Sequence, residues 1–183
     1  MSENSPIKDA LYAKIEEIGQ EQVHNLLLKK EFSKLFEVIY EKALDSIEED
    51  VDEYEKCGTL AESFTHYLFT EMLIPSQRKI SYKNVELDMI IPDVTELKKN
   101  IENVVLIFFV KTSNMNEIKQ RILELKKIQN VDINIWIISK DQIKILQKSY
   151  LIEKISFGDF LRDAQNFVNA RKMNKLNIFK TKV

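Results

Sequence analysis

Residues 85–112 read VELDMIIPDVTELKKNIENVVLIFFVKT, and this stretch decides the fold class of the chain. Its first part alternates polar and apolar side chains, with Glu86 and Asp88 among the polar ones, as a half-buried strand does. Residues 104–110 are all apolar, which is typical of a strand that is covered on both faces of a sheet. Lys111 follows directly, so a lysine stands where a buried strand is expected to meet water.

The first of these strands is predicted to belong to a β-hairpin. Residues 77–82 and 85–91 are strand-like, and the Lys-Asn pair between them supplies a two-residue turn because asparagine tolerates a positive φ. Side chains alternate along a strand with a period of two. This period predicts that Glu86 and Asp88 share one face, with the odd-numbered residues from 85 to 91 on the other.

A helix is predicted to precede the hairpin. The sequence GTLAE at residues 58–62 matches a capping box, in which Thr59 covers an early helix amide and Glu62 reaches back to the cap. The helix is expected to run to about Leu73 and to end before Pro75. Glu62 is therefore an acid carried by the helix that leads into the hairpin.

The rest of the chain predicts further helices and one more buried strand. An amphipathic helix is expected over residues 115–129, a buried strand over residues 132–139 and a final helix over residues 157–173. A strand-helix-strand connection of this length makes its two strands parallel. The fold class is therefore α/β, with a helical N-terminal region over residues 1–57 and an α/β core over residues 58–183.

Composition excludes several classes of function. The chain has 183 residues and a formal net charge of -2, with one cysteine, two histidines and three glycines. One cysteine cannot form an intrachain disulfide or a cysteine-rich zinc site, and three scattered glycines do not build a glycine-rich phosphate loop. Kinases, P-loop ATPases and Rossmann dehydrogenases are thus excluded. A cytoplasmic location without a membrane partner is expected, because neither a secretory signal nor a membrane-spanning apolar run is visible.

With its elements in this order, the chain resembles the PD-(D/E)XK nuclease superfamily, whose restriction-endonuclease-like fold includes archaeal Holliday-junction resolvases. The resemblance covers about residues 58–139 and implies a central mixed sheet flanked by helices. It assigns catalytic roles to Asp88, Lys111 and Glu62, and it implies a Mg²⁺ site in which Asp88 holds the ion with help from Glu86 or Glu62 and a backbone carbonyl. In such a site carboxylates hold the cation against a phosphodiester while the lysine orients the attacking water.

One position departs from the family's motif. The family has an acid, sometimes a glutamine, two residues before the lysine, and this chain has Phe109, which cannot bind a metal. Either Glu86 supplies the missing carboxylate, or catalysis is lost and the domain is a binding or scaffolding module whose N-terminal helices offer a surface to a protein partner. Whether the chain is an endonuclease stays open. A third interpretation is an unrelated α/β domain in which these acids and the lysine coincide by chance.

The resemblance implies nucleic acid as a partner, with DNA favoured over RNA. Contacts to the phosphate backbone are electrostatic and weaken as salt is added. The predicted contact residues are Gln120, Lys79, Lys83, Arg171, Lys172 and Lys175. The predicted site residues also have plainer interpretations. Capping explains Glu62, exposure on one face of a half-buried hairpin explains Asp88 and Glu86, and the emergence of a buried strand explains Lys111. Ordinary helix polarity explains Gln120, and a frayed C-terminus explains the basic residues there.

Overall fold

The computed structural model describes residues 6–47 and 50–180, with side chains up to Arg171. The five strands of its sheet are β1 (Gln77–Tyr82), β2 (Val85–Ile91), β3 (Val105–Phe109), β4 (Ile135–Ser139) and β5 (Lys148–Leu151), and they lie in that order. The pairs β1–β2 and β2–β3 are antiparallel, whereas β3–β4 and β4–β5 are parallel. The sheet is thus mixed, and the predicted parallel pair is confirmed.

Helices cover both faces of this sheet. They are α1 (Pro6–Ile18), α2 (Gln20–Leu28), α3 (Phe32–Leu35), α4 (Lys42–Asp45), α5 (Glu53–Glu71), α6 (Val94–Lys99), α7 (Met115–Ile128) and α8 (Lys154–Lys180). A π-helical turn, Phe36–Glu41, joins α3 to α4 without a break. The short elements α6 and β5 are not predicted by the sequence analysis. No helix in the described part of the chain is both long and apolar enough to cross a membrane.

The sheet separates two apolar clusters. The first contains the N-terminal helices, α5, α8 and one face of the sheet, including Val105, Ile107 and Phe109 of β3. The second contains α6, α7 and the opposite face, including Leu106 and Phe108. Alternate side chains of β3 therefore enter different clusters, which explains why the sequence of this strand is apolar throughout.

The hairpin has the predicted bounds and turn. Lys83 and Asn84 have φ values of 50° and 62°, and Tyr82 pairs with Val85 across the turn. Positive φ at both central residues is the geometry that suits the right-handed twist of the two strands.

The predicted alternation along β2 fails in the middle of the strand. Lys79 of β1 has a φ of 51°, and the ladder contains the pairs Arg78–Met89 and Ile80–Leu87 without a pair between them. Leu87 then packs in the same apolar cluster as Ile90, three residues later. The irregularity lies opposite Asp88.

Helix α5 begins earlier than predicted. Asp52 is its N-cap, and the carboxylate accepts hydrogen bonds from the backbone amides of Tyr54 and Glu55, both at 3.0 Å. The predicted capping box of Thr59 and Glu62 is therefore wrong, because both residues lie inside the helix. The predicted domain boundary between residues 57 and 58 also falls within α5.

Gly58 is the point of closest approach between α5 and the end of β3. A Cβ atom at this position would lie 2.3 Å from the carbonyl oxygen of Val110 and 2.8 Å from Cγ of Lys111. Only glycine allows the helix and this backbone to come so close. A side chain at position 58 would therefore force α5 and the segment that carries Lys111 apart.

Candidate functional site

A pocket of about 370 Å³ opens beside the carboxyl end of β3, between that strand and α7. Its lining residues are Asp88, Phe108, Phe109, Lys111, Thr112, Glu117, Ile118 and Arg121. β3 is paired with β2 on one side, so Asp88 from the middle of β2 and Lys111 from just beyond the end of β3 both reach the pocket. The structure thus brings together the strand acid and the lysine that the sequence analysis predicted.

Lys111 is held by the acid from the helix. Its Nζ donates a hydrogen bond to Oε2 of Glu62 at 2.6 Å, while Nε and one terminal nitrogen of Arg78 donate to Oε1 at 3.2 and 2.8 Å. Glu62 is only 1% exposed. Burial alone would raise the pKa of Glu62, but the hydrogen bonds and charges of Lys111 and Arg78 outweigh it and the pKa is lowered. Glu62 is therefore ionised, with both oxygens already bonded.

Asp88 lies on β2, and its side chain reaches β3 and is mostly buried. Its Oδ2 accepts a hydrogen bond from the backbone amide of Phe109 at 2.9 Å. Burial raises the pKa of Asp88, although the Phe109 amide and the charges of Lys111 and Arg121 oppose this in part. The carboxylate is thus held in place at an energetic cost when it is ionised.

Arg121 is a residue of this site that the sequence analysis missed. One terminal nitrogen lies 3.6 Å from Oδ1 of Asp88 and also donates to the carbonyl oxygen of Glu86, and the other lies 3.2 Å from Glu124. The guanidinium also lies over the ring of Phe108, 6.0 Å from its centroid. Its position on α7, one turn after an acid that also lines the pocket, Glu117, is the only sequence signal of this role.

Phe109 contributes its backbone rather than its side chain to Asp88. The side chain is 1% exposed and packs in the first apolar cluster, while the amide binds the aspartate. The motif that the sequence resembles has an acid, sometimes a glutamine, at this position, and here the position is part of the core.

The acids predicted to hold a metal do not form one group. Within residues 6–47 and 50–180, no set of three or more His, Cys, Asp or Glu side chains lies close enough to hold a metal ion. Glu86 is exposed and does not line the pocket with Asp88. The predicted set of Asp88, Glu86 and Glu62 is therefore not assembled, because one acid faces solvent and Glu62 is bonded to two cations.

The predicted phosphate contacts are scattered. Gln120, Lys79 and Lys83 are exposed and lie outside the pocket, and the ammonium of Lys83 lies over the ring of Tyr82. The side chains of Lys172 and Lys175 lie outside the described part of the chain.

Arg171 has a structural contact instead of a free surface position. Its guanidinium donates to the carbonyl oxygen of Glu102 at 3.1 Å and lies 3.4 Å from the centroid of the Phe167 ring. Burial lowers the pKa of Arg171 to about 10. The residue fastens α8 to the segment before β3.

A second groove, of about 430 Å³, lies between α2 and the end of α5. It is lined in part by Leu28 and Leu73, which are 83% and 80% exposed, and by His24 and Glu71, whose side chains are hydrogen-bonded at 2.6 Å. Exposed apolar surface on the N-terminal helices is what the binding-module alternative predicts.

The comparisons with known proteins bear on the fold. A scan of protein-family models finds none that matches this chain, and a search of curated proteins finds no significant relative. A solved structure, metal-depleted Ecl18kI in complex with uncleaved, modified DNA, is similar with a TM-score of 0.56 and 16% sequence identity. The similarity covers 93% of this chain and 80% of that one. The neighbour is a restriction endonuclease, so the predicted restriction-endonuclease-like fold, with its mixed sheet and flanking helices, is confirmed.

Proposed function

We propose that this protein binds nucleic acid, specifically DNA, with a backbone phosphate at the pocket beside the carboxyl end of β3. The observation that carries the proposal is the unequal pairing around Glu62. One carboxylate is shared by Arg78 and Lys111, so this group of three side chains carries one net positive charge, and Lys111 presents it to the pocket. The similar solved structure supports the proposal because it is a complex of a restriction endonuclease with DNA.

Lys111 retains the capacity to bind a phosphate. An ammonium has three N–H donors, and Glu62 accepts one of them. The side chain of Lys111 is 35% exposed and lines the pocket. A phosphate oxygen can therefore accept from Lys111 while the buried bond to Glu62 persists and fixes the ammonium.

Metal-dependent hydrolysis of a phosphodiester, which the family resemblance implies, is a second candidate function. The observation that favours it is that Asp88 and Lys111 line one pocket. The acids present do not fit a preassembled Mg²⁺ site, since both oxygens of Glu62 bind cations and Glu86 faces solvent. Phe109 supplies no oxygen ligand from its side chain. We therefore derive no hydrolytic step and propose binding without hydrolysis.

Fluorescence anisotropy with a labelled DNA duplex tests the binding proposal. We expect wild-type protein to bind, with an affinity that falls as salt is added, and Lys111→Gln to weaken binding about tenfold through the loss of a charged phosphate contact. Lys127→Gln is the matched control, because this exposed lysine of α7 lies outside the pocket. Equal affinities of wild type and Lys111→Gln would contradict the proposal. Competition with an RNA duplex tests the preference for DNA.

The same duplex, incubated with Mg²⁺ or Mn²⁺, decides between the two functions. We expect no cleavage by the wild-type protein. Cleavage that requires the metal and disappears in Asp88→Asn would establish the hydrolytic candidate and overturn the non-hydrolytic one.

A further inference from the structure

Arg121 is fixed by contacts on three sides. It spans from α7 to β2, where the carbonyl oxygen of Glu86 accepts one of its hydrogen bonds, and Glu124 accepts another one turn along the helix. The ring of Phe108 lies beneath the guanidinium. The side chain is 20% exposed and lines the pocket, so a held cation faces the space beside Asp88.

The contact of Arg121 with Asp88 is loose. At 3.6 Å, the closest nitrogen and oxygen are beyond the distance of a hydrogen bond. A guanidinium has five N–H donors, and the bonds to Glu86 and Glu124 use two of them. Donors therefore remain for another acceptor, and a guanidinium fork fits the oxygens of a phosphate particularly well.

The charge of Asp88 also needs a neighbouring cation. Nuclease-like sites satisfy such a carboxylate with a divalent metal, whereas here Lys111 and Arg121 are the cations that line the pocket with it. Asp88, in turn, places a negative charge next to any phosphate that approaches Arg121. This carboxylate and an incoming phosphate therefore compete for the same guanidinium.

We propose that Arg121 binds the backbone phosphate in place of a divalent cation, so that recognition at this pocket does not depend on metal, with Asp88 as its competing internal anion. This inference rests on the proposed function and names the residue and the charge arrangement that perform it. It predicts two effects of opposite sign: loss of Arg121 weakens binding, and neutralisation of Asp88 strengthens it.

Anisotropy titrations with the DNA duplex in EDTA, over a range of salt concentrations, test both effects. Arg121→Gln is expected to weaken binding about tenfold and to reduce the slope of log affinity against log salt by about 0.9, the value for one phosphate contact. Arg121→Lys keeps the charge and is expected to retain the slope while it loses affinity. Arg162→Gln, an exposed arginine of α8 that pairs with Asp159, is the matched control. Asp88→Asn is expected to bind more tightly than wild type in EDTA.

The outcomes separate this inference from the function on which it rests. If wild-type protein does not bind the duplex, the proposed function itself fails. If Lys111→Gln weakens binding but Arg121→Gln leaves affinity and salt slope unchanged, the function stands and the role of Arg121 is wrong. If wild-type protein binds the duplex only with Mg²⁺, and Asp88→Asn does not bind it, the proposed role of Arg121 is also wrong. Circular dichroism checks the folding of each variant. If Arg121→Gln does not fold, the affinity of wild-type protein in EDTA and the affinity of Asp88→Asn decide whether Arg121 takes the place of a metal.

Discussion

Lys111 and Glu62 meet where the end of β3 faces the middle of α5, with Nζ and Oε2 2.6 Å apart. The pair joins residues 49 positions apart in the sequence, and Arg78 completes it from β1. The lysine of the candidate site is therefore positioned by a buried anion that is 1% exposed.

Glu62→Gln is expected to destabilise the fold by about 3 kcal/mol at pH 7. This value is at the lower end of the free-energy cost of breaking a buried ion pair, because Lys111 is partly exposed and solvent screens its charge. The pKa of Glu62 is below its ordinary value of 4.5, so its contribution to stability is present above pH 4.5 and is lost as pH falls through the pKa of the folded state. Urea denaturation of the wild type and of Glu62→Gln, repeated from pH 7 downward, should show that the difference between their free energies of unfolding becomes smaller in acid. A difference that is independent of pH would contradict this assignment.

Asp88→Asn is expected to stabilise the protein at neutral pH. Because burial raises the pKa of Asp88, the native state holds the proton more tightly than the unfolded chain, and ionisation of Asp88 lowers stability as pH rises past its ordinary value of 3.8. Thermal unfolding should give a higher Tm for the variant at pH 7 and no difference well below pH 3.8.

Asp163→Asn provides a control of opposite sign for that measurement. Burial would raise the pKa of Asp163, but its hydrogen bonds with Lys148 and Tyr150 outweigh burial and lower it. This variant is therefore expected to be less stable than wild type at pH 7. A lower Tm for both variants would show that ionised Asp88 stabilises the fold.

Gly58→Ala is expected to destabilise the protein by about 1–3 kcal/mol, as overpacking of a tight contact does. The new methyl would collide with the carbonyl of Val110, which outweighs the gain in helix propensity of about 1 kcal/mol. Gly158→Ala is the matched control, because a Cβ there meets its nearest atom at 3.5 Å, an ordinary contact. Urea denaturation should show Gly158→Ala equal to or more stable than wild type, and equal effects at both glycines would contradict the close approach of α5.

Phe157→Ala is expected to cost about 3–5 kcal/mol, because its ring joins different parts of the first apolar cluster. The ring centroid lies 5.3 Å from that of Phe36 and 5.6 Å from that of Phe64. Because this ring links them, the N-terminal helices, α5 and α8 should unfold together in the wild-type protein.

The cooperativity is measurable in the same experiment. Circular dichroism and the fluorescence of Trp136 should report one coincident transition. Ile155→Ala, at a residue 69% exposed on the same helix, should change stability by less than about 0.5 kcal/mol. Separate transitions of the two probes would instead favour an N-terminal region that unfolds independently.

The sequence analysis succeeded where structure follows from neighbouring residues. The hairpin has its predicted bounds because two positive-φ residues determine the turn, and β3 is central because its apolar side chains serve both faces. The predicted start of α5 was wrong because Thr59 and Glu62 have the spacing of a capping box although they lie inside a longer helix. Gly58 suggested a helix start, whereas its role is to let the backbone of Val110 approach.

The candidate site was only partly predictable from the sequence, because some of its contacts join residues that are far apart along the chain. Asp88 lies on β2 and Lys111 follows the end of the neighbouring strand β3, so their approach to one pocket follows from strand order, although the predicted alternation fails beside Asp88. Arg78 and Arg121 acquire their roles from partners distant in sequence, at separations of 16 residues to Glu62 and 35 residues to Glu86. Short-range periodicity does not encode such pairings, and neither arginine departs from the pattern expected of an ordinary strand or helix.

The burial of Phe109 makes it difficult to introduce a carboxylate at this position. Truncating such a ring costs about 3–5 kcal/mol, and an unpaired anion placed among the apolar side chains of the first cluster would add a further desolvation cost. A protein engineer who wished to place an acid at position 109 would therefore have to repack the first apolar cluster before exchanging this single residue.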